Sequence, residues 1–175
     1  FKGTVSWSHD TRNKAIFPTD GSLLTLSSEA ALPLGDESIN FYKLRLRHKQ
    51  YFPLFRKLTF TAGGEIAYAN AYGETTLLPP FEKFYAGGMR TVRGYKANSL
   101  GPQDEFGDPL GGNARVLANA ELLFPLPGRE GDDLRFGLFV DAGNVFDTNE
   151  EVDLGDLRLA TGLSMVWLTP VGPLS

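Results

Sequence analysis

Apolar and polar positions alternate with a period of two along most of the chain. Phe1, Gly3, Val5 and Trp7 oppose Lys2, Thr4, Ser6 and Ser8, the spacing of a strand with two unlike faces. Over 22–32, Leu24, Leu26, Ala30 and Leu32 oppose Thr25, Ser27 and Glu29. Over 39–52, Tyr42, Leu44 and Leu46 oppose Lys43, Arg45, Arg47 and Lys49. Over 58–70, Leu58, Phe60, Ala62, Ile66 and Tyr68 oppose Thr59, Thr61, Gly63, Glu65 and Ala67. The pattern resumes at 114–124, with Val116, Ala118, Ala120, Leu122 and Phe124 against Leu117, Asn119, Glu121 and Leu123. Over 134–145, Leu134, Phe136, Leu138, Val140 and Ala142 oppose Arg135, Gly137, Phe139, Asp141 and Gly143. Over 157–168, Leu157, Leu159, Leu163, Met165 and Trp167 oppose Arg158, Ala160, Gly162 and Ser164. Helical spacing fits none of these segments as well, so an all-β antiparallel chain of about seven long strands is expected.

Turn residues punctuate the strands. Phe17-Pro18 and Asp20-Gly21 close a turn over 11–21. A polar loop covers 33–38, and Pro/Gly turns cover 53–57, 125–133 and 169–173. An acidic loop runs over 146–156. Aromatics gather where strands meet turns, at Phe17-Pro18, Phe52-Pro53, Phe124-Pro125 and Trp167, as in an interfacial belt. Two architectures share this alternation. In a soluble antiparallel β module the apolar faces meet each other. In a membrane barrel they meet lipid and the charged faces line a lumen.

Composition narrows the classes. The 175 residues carry a formal charge of -4 and a pI near 5.2, with no dense basic run to track a phosphate backbone, so nucleic acid is not an expected partner. Cysteine is absent, which removes disulfide and thiol chemistry. No signal peptide opens the chain, and no run of eighteen apolar residues offers a spanning helix. Barrel strands need only about ten alternating residues and escape that test.

Residues 72–113 break the pattern with a connection of about forty residues, far beyond the usual handful. The segment is too rich in Gly and Pro for a regular element. It still holds Phe81, Phe84, Tyr85, Tyr95 and Leu100, enough apolar surface to pack. Within it, Phe84-Tyr85-Ala86-Gly87-Gly88 precedes Thr91-Val92-Arg93-Gly94-Tyr95 and Asn98-Ser99-Leu100-Gly101-Pro102. Together with Asp10-Thr11-Arg12-Asn13 and Val140-Asp141-Ala142-Gly143-Asn144-Val145-Phe146, this resembles the BamA-type outer-membrane insertases. Their signature loop reads close to FYAGG-x-x-[ST]-[VI]-R-G-[FY]. The resemblance covers nearly all of this chain and less than half of a full family member.

The resemblance implies part of an up-and-down transmembrane β-barrel over 1–175, in the outer membrane of a Gram-negative bacterium, with 72–113 folded back into the lumen. It implies Gly87, Gly88, Val92, Arg93, Gly94 and Tyr95 as the loop signature. A lumenal Arg93 is a buried cation and needs partners. Glu121 and Asp141, on the polar faces of the two strands after the loop, are the expected ones, and the family is understood to hold its arginine with acids at these positions. The implied function is non-covalent assembly of other barrel proteins. Its partners would be the lipid bilayer, unfolded β-barrel clients and accessory assembly lipoproteins, with no cofactor. A client strand would add to a seam between the first and last strands. Those strands and the periplasmic domains are expected to lie outside this stretch, which would leave two unpaired edges. The alternative within the same family is the barrel of a TamA-like assembly protein or of a two-partner secretion exporter.

Other chemistry is weakly represented. Asp141, Asn144, Asp147, Asn149, Glu150, Glu151 and Asp153 do not follow calcium-loop spacing. His9 and His48 lie on separate strands without zinc-type neighbours. Neither a nucleophile elbow nor a phosphate loop occurs. A hydrolytic carboxylate pair would require Glu65, Glu121 or Asp141 to face an open pocket. The basic row Lys43, Arg45, Arg47 and Lys49 suits a lumen wall or a wet surface equally.

Overall fold

The computed structural model describes residues 1–31, 39–125, 134–147, 152–169 and 172–174. Seven long strands follow in chain order: β1 (Lys2–Asp10), β2 (Gly21–Ala31), β3 (Phe41–Pro53), β4 (Thr59–Ala71), β5 (Ala114–Pro125), β6 (Leu134–Phe146) and β7 (Arg158–Thr169). A three-residue β8 (Gly172–Leu174) follows. Each pairs antiparallel with the next, so one sheet runs from β1 to β8 in sequence order and is not closed on itself. The described residues thus form an up-and-down sheet, as the expected partial barrel requires. β8 takes in the last two residues of the turn expected over 169–173. The expected loop 33–38, the turn 126–133, and residues 148–151 of the acidic loop lie outside the described residues, as does Leu32.

Strand length and face both fit a bilayer. β1 to β7 hold 9 to 13 residues, against the roughly 9–11 that a tilted spanning strand needs. Val5 is 74% exposed and Leu163 76%, and Leu44, Ile66, Val140 and Leu159 are exposed on the same outer face. The opposite face buries Thr59, Thr61, Glu65, Arg135 and Asp141. This inverts a soluble sheet, where apolar faces meet each other, and it overturns the soluble-module alternative. Phe52 stacks on Phe60 and Phe124 on Phe136, with centroids 6.0 and 6.1 Å apart. Both pairs, with Trp167, lie at the short-turn end of the sheet. Tyr42 and Tyr68 face each other at the other end. Aromatics at both ends of an apolar band mark two interfaces. Phe17 is not among them: its backbone takes φ 52, and Arg135 lies 4.9 Å over its ring.

The polar face is buried because 72–113 lies on it. Leu78, Phe84, Ala86, Val92 and Leu100 of this connection form one apolar cluster with Phe41, Ala67, Ala69 and Val145 of the strands. Lys2 of β1 and Tyr95's contact on β7 both reach the same connection. The sheet therefore curls around its own longest loop.

Candidate functional site

Local geometry makes the loop narrow enough to enter. Phe84 bridges Gly112, and Ala86 bridges Leu100, giving a hairpin-like stem. At its turn, Gly87 has φ 106, and a Cβ there would stand 3.1 Å from Ser99 N. Only glycine takes that conformation without strain. The Gly87 amide donates to Thr91 Oγ1 at 2.9 Å and the Gly88 amide to the Val92 carbonyl at 3.1 Å. The turn thereby sets Val92 and Arg93 against the wall.

The structure brings Arg93, Asp141 and Glu121 together. Arg93 Nε donates to Asp141 Oδ2 at 2.7 Å, and Nη2 to Oδ1 at 2.8 Å. The Arg93 amide adds a third bond to Oδ2 at 3.1 Å. Nη1 donates to Glu121 Oε1 at 3.0 Å, which also accepts from the Ser164 hydroxyl. Below the guanidinium, the Phe139 ring centroid lies 3.6 Å from its carbon. Asp141 is 1% exposed. Burial opposes the Arg93 charge, but the bonds to Asp141 and the field of both acids outweigh it and hold the pKa above its usual value. Bidentate pairing and face stacking together are specific to arginine. On either side, Val92 is fully buried, Gly94 stands beside Ala160, and the Tyr95 hydroxyl donates to the Leu159 carbonyl at 3.1 Å.

Two further ion clusters tie the loop to the wall. Glu65 of β4 accepts from Arg47 Nε and Arg115 Nε, both at 2.9 Å. Arg115 Nη1 donates to the Tyr85 carbonyl of the loop at 2.8 Å. Glu82, in the short 3-10 turn Pro80–Glu82, is bonded by Lys2 and Lys43. Sequence reasoning assigned no role to Glu82, Arg115, Phe139 or Ser164. A usable signal existed for the Glu65 cluster: Arg47 and Glu65 are directly opposed in the β3–β4 register. Glu121 and Asp141 face the Arg93 guanidinium, and Glu65, although it borders a cavity, has both oxygens taken by Arg47 and Arg115, so the hydrolytic reading is set aside. Among the acidic-loop residues, Asp147 pairs with Lys83 at 3.3 Å and Asp153 accepts from the Gly155 amide. In the 11–20 turn, Arg12 forks onto Asp10 at 2.9 and 2.7 Å, and Asn13 Oδ1 accepts from the Thr19 amide.

Two expectations follow from this packing. Gly143 sits under the loop, and a Cβ there would meet Leu117 Cδ2 at 2.6 Å and Val92 Cγ2 at 2.9 Å. Gly143→Val is expected to expel Val92 and cost about 1–3 kcal/mol by overpacking, seen as faster hydrogen exchange at the Gly88 amide. Unchanged exchange would rule out that contact. Glu82 is 4% exposed. Burial raises its pKa, but the bonds and charges of Lys2 and Lys43 prevail and leave it lowered. A depressed carboxyl stabilises above its unfolded value, about 4.3, and loses that contribution as pH falls through the folded one. Acidification below pH 4 is therefore expected to loosen the Phe84 amide, after correction for intrinsic exchange, and Glu82→Gln is expected to flatten the response.

Comparison with known proteins gives consistent matches. Residues 1–175 match the Omp85 superfamily domain. The chain is similar to the outer membrane protein assembly factor BamA of Neisseria meningitidis serogroup B, 35% identical over 203 residues, covering 99% of this chain and 25% of that protein. It is 32% identical to the human sorting and assembly machinery component 50 homolog, covering 80% of this chain and 30% of that protein. The crystal structure of BamA from Haemophilus ducreyi lacking POTRA domains 1-3 superposes with a TM-score of 0.85 at 29% identity. That match covers 99% of this chain and 37% of that one. The chain thus spans about a quarter of the length of the Neisseria relative.

Proposed function

Because the chain belongs to the Omp85 superfamily, we propose that it contributes the loop-bearing wall of an outer-membrane barrel that assembles other β-barrel proteins. The supporting observation is the three-way contact of Arg93 with Asp141 and Glu121. It holds a segment of the lumen against three consecutive strands, β5, β6 and β7, the last through Ser164. In this reading 72–113 is an internal brace that keeps the curved wall in one shape while clients engage elsewhere on the barrel. The work is non-covalent. An unfolded client strand gains backbone partners by edge pairing before its polar groups meet hydrocarbon. Partners are the outer-membrane bilayer, unfolded β-barrel clients and accessory lipoproteins.

The test uses the full-length protein reconstituted into lipid vesicles. An unfolded barrel client is expected to reach its folded, heat-modifiable form faster there than in protein-free vesicles. Equal rates in the two would overturn the proposal.

A further inference from the structure

The inner wall of β3 holds more positive charge than its acids can bind. Arg45, Arg47 and Arg115 converge on Glu65. Arg47 occupies Oε2 with two nitrogens, and Arg115 occupies Oε1 with two. Arg45 is left at 3.7 Å, its Nε buried and without a hydrogen-bond partner. Its guanidinium lies 5.7 Å over the Phe84 ring. A desolvated donor without an acceptor is costly. Arg45 is nonetheless not sealed in: its side chain is 41% exposed and lines a cavity of about 310 Å³.

The same wall supplies hydroxyls beside Arg45. Ser27 is directly opposite Arg45 in the β2–β3 register, and Ser6 is opposite Ser27 in the β1–β2 register. Thr25 lies opposite Arg47. Glu29, which also lines the cavity, pairs with Lys2 at 3.7 Å. Across the cleft, the loop presents Arg90 to a neighbouring cavity of about 520 Å³ that Arg45 and Arg47 also line. Cationic and hydroxyl donors thus line one inner-face cavity together: Lys43, Arg45 and Arg47 beside Ser6, Thr25 and Ser27. That arrangement suits a tetrahedral oxyanion with acceptors on every side. The cleft lies on the inner face, opposite the exposed apolar residues of the outer face.

We propose that this cleft binds the phosphate group of a soluble ligand, with Arg45 as the main fork and Lys43, Ser27 and Ser6, which line the same cavity, completing the site. The experiment is equilibrium dialysis of labelled inorganic phosphate against the full-length protein in detergent micelles, with ionic strength held constant by chloride. Saturable binding is expected, weakened about tenfold or more by Arg45→Gln, less by Arg45→Lys, and unchanged by Arg158→Gln at an exposed position of β7. Arg45 makes no hydrogen bond among the described residues, so its replacement strands no partner. Unaltered heat-modifiable mobility of the variant checks that it still folds. Non-saturable uptake, equal affinity in Arg45→Gln, or displacement by acetate as effective as by phosphate would each overturn the proposal.

Discussion

Arg93→Ala in the full-length protein is expected to free the loop tip from β5–β7 and to slow client assembly in vesicles. Asp141 would lose all three of its bonds from Arg93, including the amide bond once the backbone shifts. It would remain as a nearly fully buried carboxylate. Removing one partner of a buried pair typically costs ~3–5 kcal/mol, chiefly through the charge left behind. The Arg93 side chain is 19% exposed, so a value near the lower end, about 3 kcal/mol, is expected. Arg93→Lys keeps the charge but not the fork and should fall between. Adding Asp141→Asn to Arg93→Ala should recover part of the loss, because the orphaned charge is removed. Trypsin cleavage at Arg90 and Lys96 reads the release directly. Wild-type cleavage together with wild-type assembly rates in Arg93→Ala would sink the brace.

Glu65→Ala is expected to have an effect of similar size through a different part of the wall. It leaves Arg45, Arg47 and Arg115 close together with no shared carboxylate. The Arg47 side chain is 58% exposed and can be rehydrated, so its share is discounted. Arg115 is only 12% exposed and also holds the Tyr85 carbonyl. Its stranding is expected to dominate, at about 3 kcal/mol. The measurement is the urea midpoint of the protein in vesicles, with Glu65→Gln as the milder comparison. The Glu65 and Arg93 clusters anchor the same loop, through the Tyr85 carbonyl and Arg93, so the double variant should lose less than the sum of the two single costs. A midpoint unchanged in Glu65→Ala would show that the three arginines need no counter-charge there.

Much of this was legible from residue order. Strand positions follow from a period of two, which depends only on neighbours along the chain. Thus Leu44 and Lys43 face oppositely whatever surrounds them. The seven long strands lie within two residues of their expected bounds for the same reason. Arg93 as a cation in a glycine-rich, apolar-flanked turn was also visible locally. Alternation is symmetric, however: it separates two faces without saying which one meets solvent, lipid or protein. Only the fold-back of 72–113 decides that, by burying Glu65 and Asp141 and leaving Val5 and Leu163 on the outside. Glu82 reaches Lys2 across eighty positions, and Phe139 slides beneath Arg93. Such contacts depend on strand register and on closing a long loop, and neither is encoded within a local window. The chain by itself set the elements and their two-sidedness; the inversion of those sides and the pairing of the lumenal charges belong to the tertiary structure, because they arise between residues that only folding makes neighbours.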